Sequence, residues 1–352
     1  MDVKKDQKVV VLATGGTIAG VAEDESKPNN YVSGQLGVNQ LTQNLVTHGV
    51  ALIQEQVCNI DSKDMQFSHW QALLERCHFW LNQNDVAGLI VTHGTDTLEE
   101  TAFFLQVVLQ PTKPVAMTCA MFPANVPHSD GPKNLQEALD WVLKNQDNGV
   151  HLVCAGEVHF GIGVQKIFSD RAKAFASHSD KALGEHTSIP QIDWPMPSVG
   201  QVLKTQHWPR VELIYNHAGA DGQLVKSLLQ GNELANSGSQ PNYNYNYNYN
   251  YNYNYNYNYN YNYNSSASAS ANQTSKVAGI VVAGTGSGTL SHGLERALME
   301  AQKAGLWVAR TSRCAYGVSD PVKHPNIPSL HNLSPVQGRV AMMLGLLALS
   351  ET

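Results

Sequence analysis

A run of β-branched and apolar residues that stops abruptly in two glycines constrains this chain more than any other feature: Lys8-Val9-Val10-Val11-Leu12-Ala13-Thr14-Gly15-Gly16-Thr17-Ile18-Ala19-Gly20. Val9 to Leu12 are apolar at successive positions, so both faces of the strand must be covered, as in the middle of a parallel sheet flanked by helices. The Thr14-Gly15-Gly16-Thr17 turn then frees backbone N–H groups at the carboxyl end of the strand, where open α/β sheets place ligands. Such groups can hold an anion or a developing oxyanion. The glycine spacing is not that of a dinucleotide fingerprint, and no Gly-Lys-Ser/Thr follows to make a phosphate loop. On its own the stretch is also explained by an ordinary strand-to-helix turn.

The same grammar recurs in Val86-Ala87-Gly88-Leu89-Ile90-Val91-Thr92-His93-Gly94-Thr95-Asp96-Thr97-Leu98-Glu99-Glu100-Thr101. An apolar strand leads into a glycine turn with hydroxyls and one carboxylate, and a helix through Ala102, Phe103, Phe104 and Leu105 follows. Thr95 and Asp96 thus stand near a helix N-terminus, where a carboxylate is stabilised and can receive a cationic group. A helix-capping role for Asp96 or Thr97 accounts for the local pattern. It leaves the matching turn at Thr17 unexplained.

With 352 residues the chain can bury two cores, and two domains are expected. Its 23 basic and 29 acidic residues leave a net charge of −6 with no basic stripe, which argues against a nucleic-acid partner. The five cysteines are scattered without a CxxC, as expected of free thiols in a reducing compartment rather than of a disulfide framework or zinc site. The fourteen histidines include no HExxH, so neither a metal nor another cofactor is expected. The apolar run behind Lys8 is too short for a signal-peptide core, and no stretch reaches membrane-spanning length. A cytoplasmic protein is expected, or a periplasmic one if a signal peptide has been removed.

Between the two motifs, Val21 to Tyr31 reads as a polar, mobile loop able to close over Thr17, Leu36 to His48 as a helix, and Ala51 to Ile60 as a strand. That strand leads to Asp61-Ser62-Lys63-Asp64-Met65, and Ser68 reads as the cap of a helix to Asn82. Further strands are expected at Val115 to Met121 and Val150 to Gly156, around a helix from Leu135 to Lys144. Lys166, by itself, reads as a surface residue. Phe175 to Gln206 is taken as the crossing to a second domain. There, strands Arg210 to Tyr215, Val277 to Ala283 and Leu306 to Arg310 alternate with helices Gln223 to Leu229 and Leu290 to Ala304. Val336 to Leu349 is an apolar helix that packs on the sheet or at a subunit contact. Asn242 to Asn264 alternates strictly between Asn and Tyr, and Ser-Ala repeats follow. The segment from about 237 to 275 reads as a disordered insertion in a surface loop, with self-association as its functional alternative.

Taken together, these motifs resemble the bacterial-type L-asparaginase family. The strongest matches are Ala13-Thr14-Gly15-Gly16-Thr17-Ile18-Ala19 and Thr92 to Thr101, supported by Asn59 to Met65, Ala120-Met121, Ser129-Asp130-Gly131-Pro132, Tyr215-Asn216 and Thr311-Ser312-Arg313. The resemblance implies a two-domain α/β fold: a catalytic open-sheet domain over 1–206, with a connecting segment from about 180, and a smaller α/β domain over 207–352. It implies hydrolysis of the L-asparagine side-chain amide, with weaker action on L-glutamine, in a homotetramer built as a dimer of dimers. Thr17 would be the nucleophile, activated with Tyr31, beside a constellation of Thr95, Asp96 and Lys166. Ser62, Lys63, Asp96 and Ala120 would contact the substrate. Direct attack by a water held by Thr95 is the competing mechanism. Lys63, Phe122 and Ser287 depart from the commoner family pattern of glutamine, arginine and asparagine. A different class of reading, a catalytically weak scaffold assembled through the Asn-Tyr repeat, predicts little turnover.

Overall fold

Val9, Val10, Val11 and Leu12 are completely buried, and they lie in the strand Lys8–Gly15. In the computed structural model, which describes residues 7–27, 30–145, 148–177, 194–236 and 276–350, this strand pairs in parallel on both sides. The sheet runs Ala51–Ile60, Lys8–Gly15, Val86–Thr92, Pro114–Thr118, Gly149–Cys154 and Glu157–Phe160. Its first five strands are parallel, and Glu157–Phe160 closes the edge as an antiparallel hairpin partner of Gly149–Cys154. In chain order the parallel strands read 2-1-3-4-5. The direction of winding therefore reverses between Lys8–Gly15 and Val86–Thr92, and it is beyond the carboxyl ends of strands at such a reversal that open α/β sheets place ligands.

The alternation along each strand divides the core into two layers. Val9, Val11, Ala13, Ile90 and Ala116 pack on Leu135, Leu139 and Val142 of the helix Gly131–Lys144. Val10, Leu12, Leu89 and Val91 face the other way, onto Trp70, Leu73 and Leu74 of the helix Phe67–Leu81 and Phe103 and Phe104 of Leu98–Leu109.

A second sheet carries Arg210–Tyr215, Val277–Gly284 and Trp307–Ser312, all parallel with Val277–Gly284 in the middle. One face is covered by the helices Gln223–Asn236 and His292–Lys303. The other face is covered by Pro335–Leu349, which also lies against Leu98–Leu109 of the first unit. That helix is therefore apolar all round because it is walled on two sides, and of the two roles open to it, packing on the sheet is the one observed.

Local differences from the sequence reading have local causes. The helix expected over Leu36 to His48 is only Val38–Thr42, where the Thr42 hydroxyl bonds back to the Val38 carbonyl at 2.9 Å and offers the chain an exit from the helix. Gln66, not Ser68, caps Phe67–Leu81, because the Gln66 N–H donates to the His69 ring at 3.1 Å. The Asn-Tyr and Ser-Ala insertion and half of the crossing segment, 178–193, lie outside the described residues. The stems of the insertion do not: Asn232 donates to the Val277 carbonyl at 2.8 Å and accepts from its N–H at 2.9 Å. This clamp sits at the amino end of Val277–Gly284, away from its carboxyl-end glycine turn.

Candidate active site

The two glycine turns exist because they touch. Gly16 has φ +81°, and a Cβ there would fall 2.4 Å from Gly94 Cα, while one on Gly94 would fall 2.5 Å from Ser62 Oγ. The ends of three adjacent strands thus converge without intervening side chains. The Gly16 N–H fixes their relation by donating to the Ile60 carbonyl at 2.8 Å.

Thr17 opens the short 3₁₀ turn Thr17–Ala19 and is nearly buried, with Oγ1 2.7 Å from Tyr31 Oη. Tyr31 is brought there by antiparallel pairing of Tyr31–Val32 with Val21–Ala22, and its ring lies against Gly20, where a Cβ would approach Cδ2 to 2.8 Å. Thr95 is equally buried. Lys166 Nζ donates to Thr95 Oγ1 at 2.8 Å and to Asp96 Oδ1 at 2.7 Å. Its side chain is only 19 % exposed, and it ends the strand Val164–Lys166, which pairs with Phe175–Ser177. The surface reading of Lys166 is therefore corrected: the fold turns it inward onto the second glycine turn.

Nor is Asp96 spent on capping. Thr97 occupies the cap of Leu98–Leu109 and neither side chain closes that helix. The Asp96 N–H donates to Ser62 Oγ at 3.1 Å and the Thr97 hydroxyl donates to the Ser62 carbonyl at 2.8 Å, so Ser62, Asp96 and Thr97 form one unit. Ala120 is buried at the end of the neighbouring strand. The turn after it is held by Asp130, whose carboxylate accepts from the N–H groups of Met121 and Phe122 at 3.1 and 3.0 Å. Lys63 stands apart from this cluster: its ammonium is clasped by Asp61 and Asp64 at 3.1 and 2.8 Å and is mostly exposed. Ser287 lies on the turn after Val277–Gly284, where its Oγ accepts from Lys323 Nζ at 2.8 Å.

Three supporting groups were not singled out from sequence. His93 is fully buried, and its Nδ1 donates to the Gly94 carbonyl at 2.7 Å. Burial drives its pKa down to about 4, so the ring is neutral and braces the turn. Gln337, also fully buried, donates to the carbonyls of Glu99 and Gly161 and accepts from the Gly163 N–H, tying the last helix to the segment that carries Lys166. Glu99 accepts from the Lys166 N–H at 3.3 Å, and burial, with Glu100 beside it, pushes its pKa up to about 8. A glutamate in the first turn of a helix ordinarily reads as a surface residue complementing the helix dipole, which is why sequence alone conceals it.

Glu99 makes a pH-dependent contribution of defined sign. With a folded pKa above the unfolded one, the native state keeps a proton that the unfolded chain releases, so stability is full at acid pH and declines as pH rises towards 8. Glu99→Gln is expected to flatten this decline, making the variant more stable than the wild type at pH 8 by on the order of a few kcal/mol relative to the difference at pH 5. Urea unfolding at the two pH values checks it.

Among the described residues no group of three His, Cys, Asp or Glu side chains is gathered to hold a metal ion. The site offers instead two hydroxyls, each tied to a second polar group, at the carboxyl ends of adjacent strands.

Comparison with known proteins meets this geometry from the other side. Residues 8–197 match the sequence model of the asparaginase N-terminal domain, and residues 210–351 match that of the glutaminase/asparaginase C-terminal domain. The chain is 30 % identical over 356 residues to L-asparaginase 2 of Escherichia coli, with 96 % of this chain and 88 % of that one covered. It is 28 % identical over 355 residues to a glutaminase-asparaginase of Pseudomonas fluorescens, covering 96 % and 86 %. The crystal structure of a probable cytoplasmic L-asparaginase from Campylobacter jejuni superposes with a TM-score of 0.75 at 25 % identity, over 97 % of this chain and 95 % of that one. The chain belongs to the bacterial-type asparaginase/glutaminase family, as a two-domain α/β amidohydrolase of the asparaginase type.

Proposed function

We propose that this protein hydrolyses the side-chain amide of L-asparagine to L-aspartate and ammonia through Thr17, with L-glutamine as a weaker substrate. The observation that carries the reading is the pairing of each buried threonine with its own polar partner: Thr17 with Tyr31 at 2.7 Å and Thr95 with Lys166 at 2.8 Å. A threonine hydroxyl attacks an amide only as its proton is removed, and Tyr31 is the group within hydrogen-bond reach of Thr17 Oγ1. Attack on the amide carbon gives a tetrahedral oxyanion, for which the N–H groups of the two glycine-threonine turns are the donors. An ammonium at Lys166 has only donors, so Thr95 Oγ1 accepts from it and keeps its own proton to give to the departing ammonia. Breaking the C–N bond leaves a β-aspartyl ester on Thr17; the water that hydrolyses it to aspartate returns a proton to Thr95, and the departing Thr17 oxygen recovers its own through Tyr31.

Ser62 and Asp96 receive the substrate's α-carboxylate and α-ammonium, and Ala120 lines the amide pocket through its backbone. Lys63 follows Ser62 in the chain, but its ammonium is held by Asp61 and Asp64 and adds little net charge at the α-carboxylate. We divide the chain into a catalytic domain over 1–206 and a smaller domain over 207–352, assembled as a homotetramer. A cytoplasmic location is in keeping with the description of the Campylobacter relative and with free cysteines at positions 58, 77, 119, 154 and 314. The test is steady-state ammonia release from L-asparagine and L-glutamine in parallel. Faster release from L-asparagine is expected, and a folded protein that releases ammonia from neither would overturn the reading.

A further inference from the structure

A cavity of about 660 Å³ lies among the helices Phe67–Leu81, Leu98–Leu109 and Pro335–Leu349, beside the Ser62–Asp96–Thr97 unit, with Thr97 in its lining but not Thr17, Thr95 or Lys166. That is within the range of roughly 300–1,000 Å³ typical of small-molecule sites. Glu100, from the first turn of Leu98–Leu109, and Arg339, from Pro335–Leu349, face into it, together with Phe67, Gln206 and Trp208.

The charged pair in this cavity is incomplete. Arg339 Nη1 and Glu100 Oε2 are 3.8 Å apart, too far for a hydrogen bond, and the Glu100 side chain is only 18 % exposed. Among the described residues nothing donates to the Glu100 carboxylate, and Arg339 donates only through Nε, to the Val211 carbonyl at 3.0 Å. The Glu100 oxygens are not sealed from water, so a ligand ammonium would replace water, not a protein donor, at this carboxylate. The same wall is aromatic: Trp208 stacks on Phe67 with ring centroids 4.6 Å apart. The Trp208 indole N–H and the Gln206 amide make no hydrogen bond among the described residues. Lys63 at the rim is neutralised by Asp61 and Asp64 and adds little net charge.

We propose that this cavity is a second binding site, distinct from the hydrolytic one, for a free α-amino acid with a planar side chain. Its ammonium donates to Glu100, its carboxylate accepts from Arg339, and its ring lies along the Phe67–Trp208 wall. A short side chain such as that of asparagine leaves the wall uncovered, which is why the ring-bearing class fits. Thr97 and Lys63 make the cavity a neighbour of the hydrolytic site, but Thr17, Ser62, Thr95, Asp96 and Lys166 do not line it, so the two can be occupied and tested separately.

The test is calorimetric titration of the full-length protein, in its own assembly, with L-phenylalanine, which carries no side-chain amide to hydrolyse. One molecule per chain is expected to bind, with an affinity unchanged when L-aspartate saturates the hydrolytic site. Glu100→Gln, which keeps the shape, is expected to weaken binding about tenfold or more through loss of a charge-assisted hydrogen bond. Gln206→Trp, at an exposed rim position, is expected to abolish it by filling the cavity. Phenethylamine and phenylacetate, each lacking one charge, should bind at least about tenfold more weakly. Absence of binding by the wild type, binding equal in wild type and both variants, or displacement by L-aspartate would each overturn the proposal. Ammonia release measured on the same samples separates that failure from failure of the hydrolytic reading.

Discussion

Lys166→Met is expected to lower kcat for L-asparagine by about 10³-fold, within the range that loss of a positioned proton-transfer or charge-stabilising group produces. The side chain joins Thr95 Oγ1 to Asp96 Oδ1, and it is the cation that sets which way the Thr95 proton points. Methionine keeps the length and apolar stem but supplies no donor. Asp96 then keeps only the substrate's α-ammonium as a cationic partner, and the positive charge near the developing oxyanion is lost, which opposes catalysis further. KM should change by less than about tenfold, because Ser62 and the Asp96 carboxylate remain in place. Steady-state kinetics with the folded variant decide it; a loss confined to KM would assign Lys166 to substrate binding alone.

Gly16→Ala is expected to cost on the order of 4 kcal/mol or more, among the largest effects of a single substitution. Two penalties coincide there. The backbone sits at φ +81° and ψ −173°, a region essentially reserved for glycine that a side chain disfavours by about 1–3 kcal/mol, and the new methyl would lie 2.4 Å from Gly94 Cα. That neighbour is backbone in a fully packed sheet edge and cannot swing aside. Alanine at Gly219, also at positive φ but with nothing within 4 Å of its Cβ, pays only the backbone term and is expected to stay folded. Urea denaturation of the two variants side by side separates close approach from backbone preference.

How much of this was legible in the sequence follows from what each signal depends on. The central strands were readable because burial on both faces writes itself as unbroken runs such as Val9 to Leu12. The paired glycine turns were readable as motifs, yet their reason, contact between Gly16 and Gly94, is a relation between residues far apart in the chain. Lys166 shows the limit most clearly. Its surroundings in sequence are those of a surface lysine, and only the pairing of Val164–Lys166 with Phe175–Ser177 aims it at Thr95. It was the resemblance, carried by other residues, that named it. Glu99 and Gln337 were concealed for the same reason, since they act by joining the last helix and the Lys166 strand to the second turn. The short edge strands Glu157–Phe160 and Phe175–Ser177 have too few residues for a period to be read.

The central claim is that Thr17 forms a covalent ester with the substrate acyl group. Acid quenching of the wild-type enzyme during turnover of L-asparagine, followed by peptide mass analysis, tests it most directly. The account predicts a β-aspartyl adduct on the peptide containing Thr17, with both adduct and ammonia release lost in Thr17→Ala and the adduct still confined to Thr17 in Thr95→Ala. Ammonia release that survives in Thr17→Ala, or an adduct carried by Thr95, would contradict it.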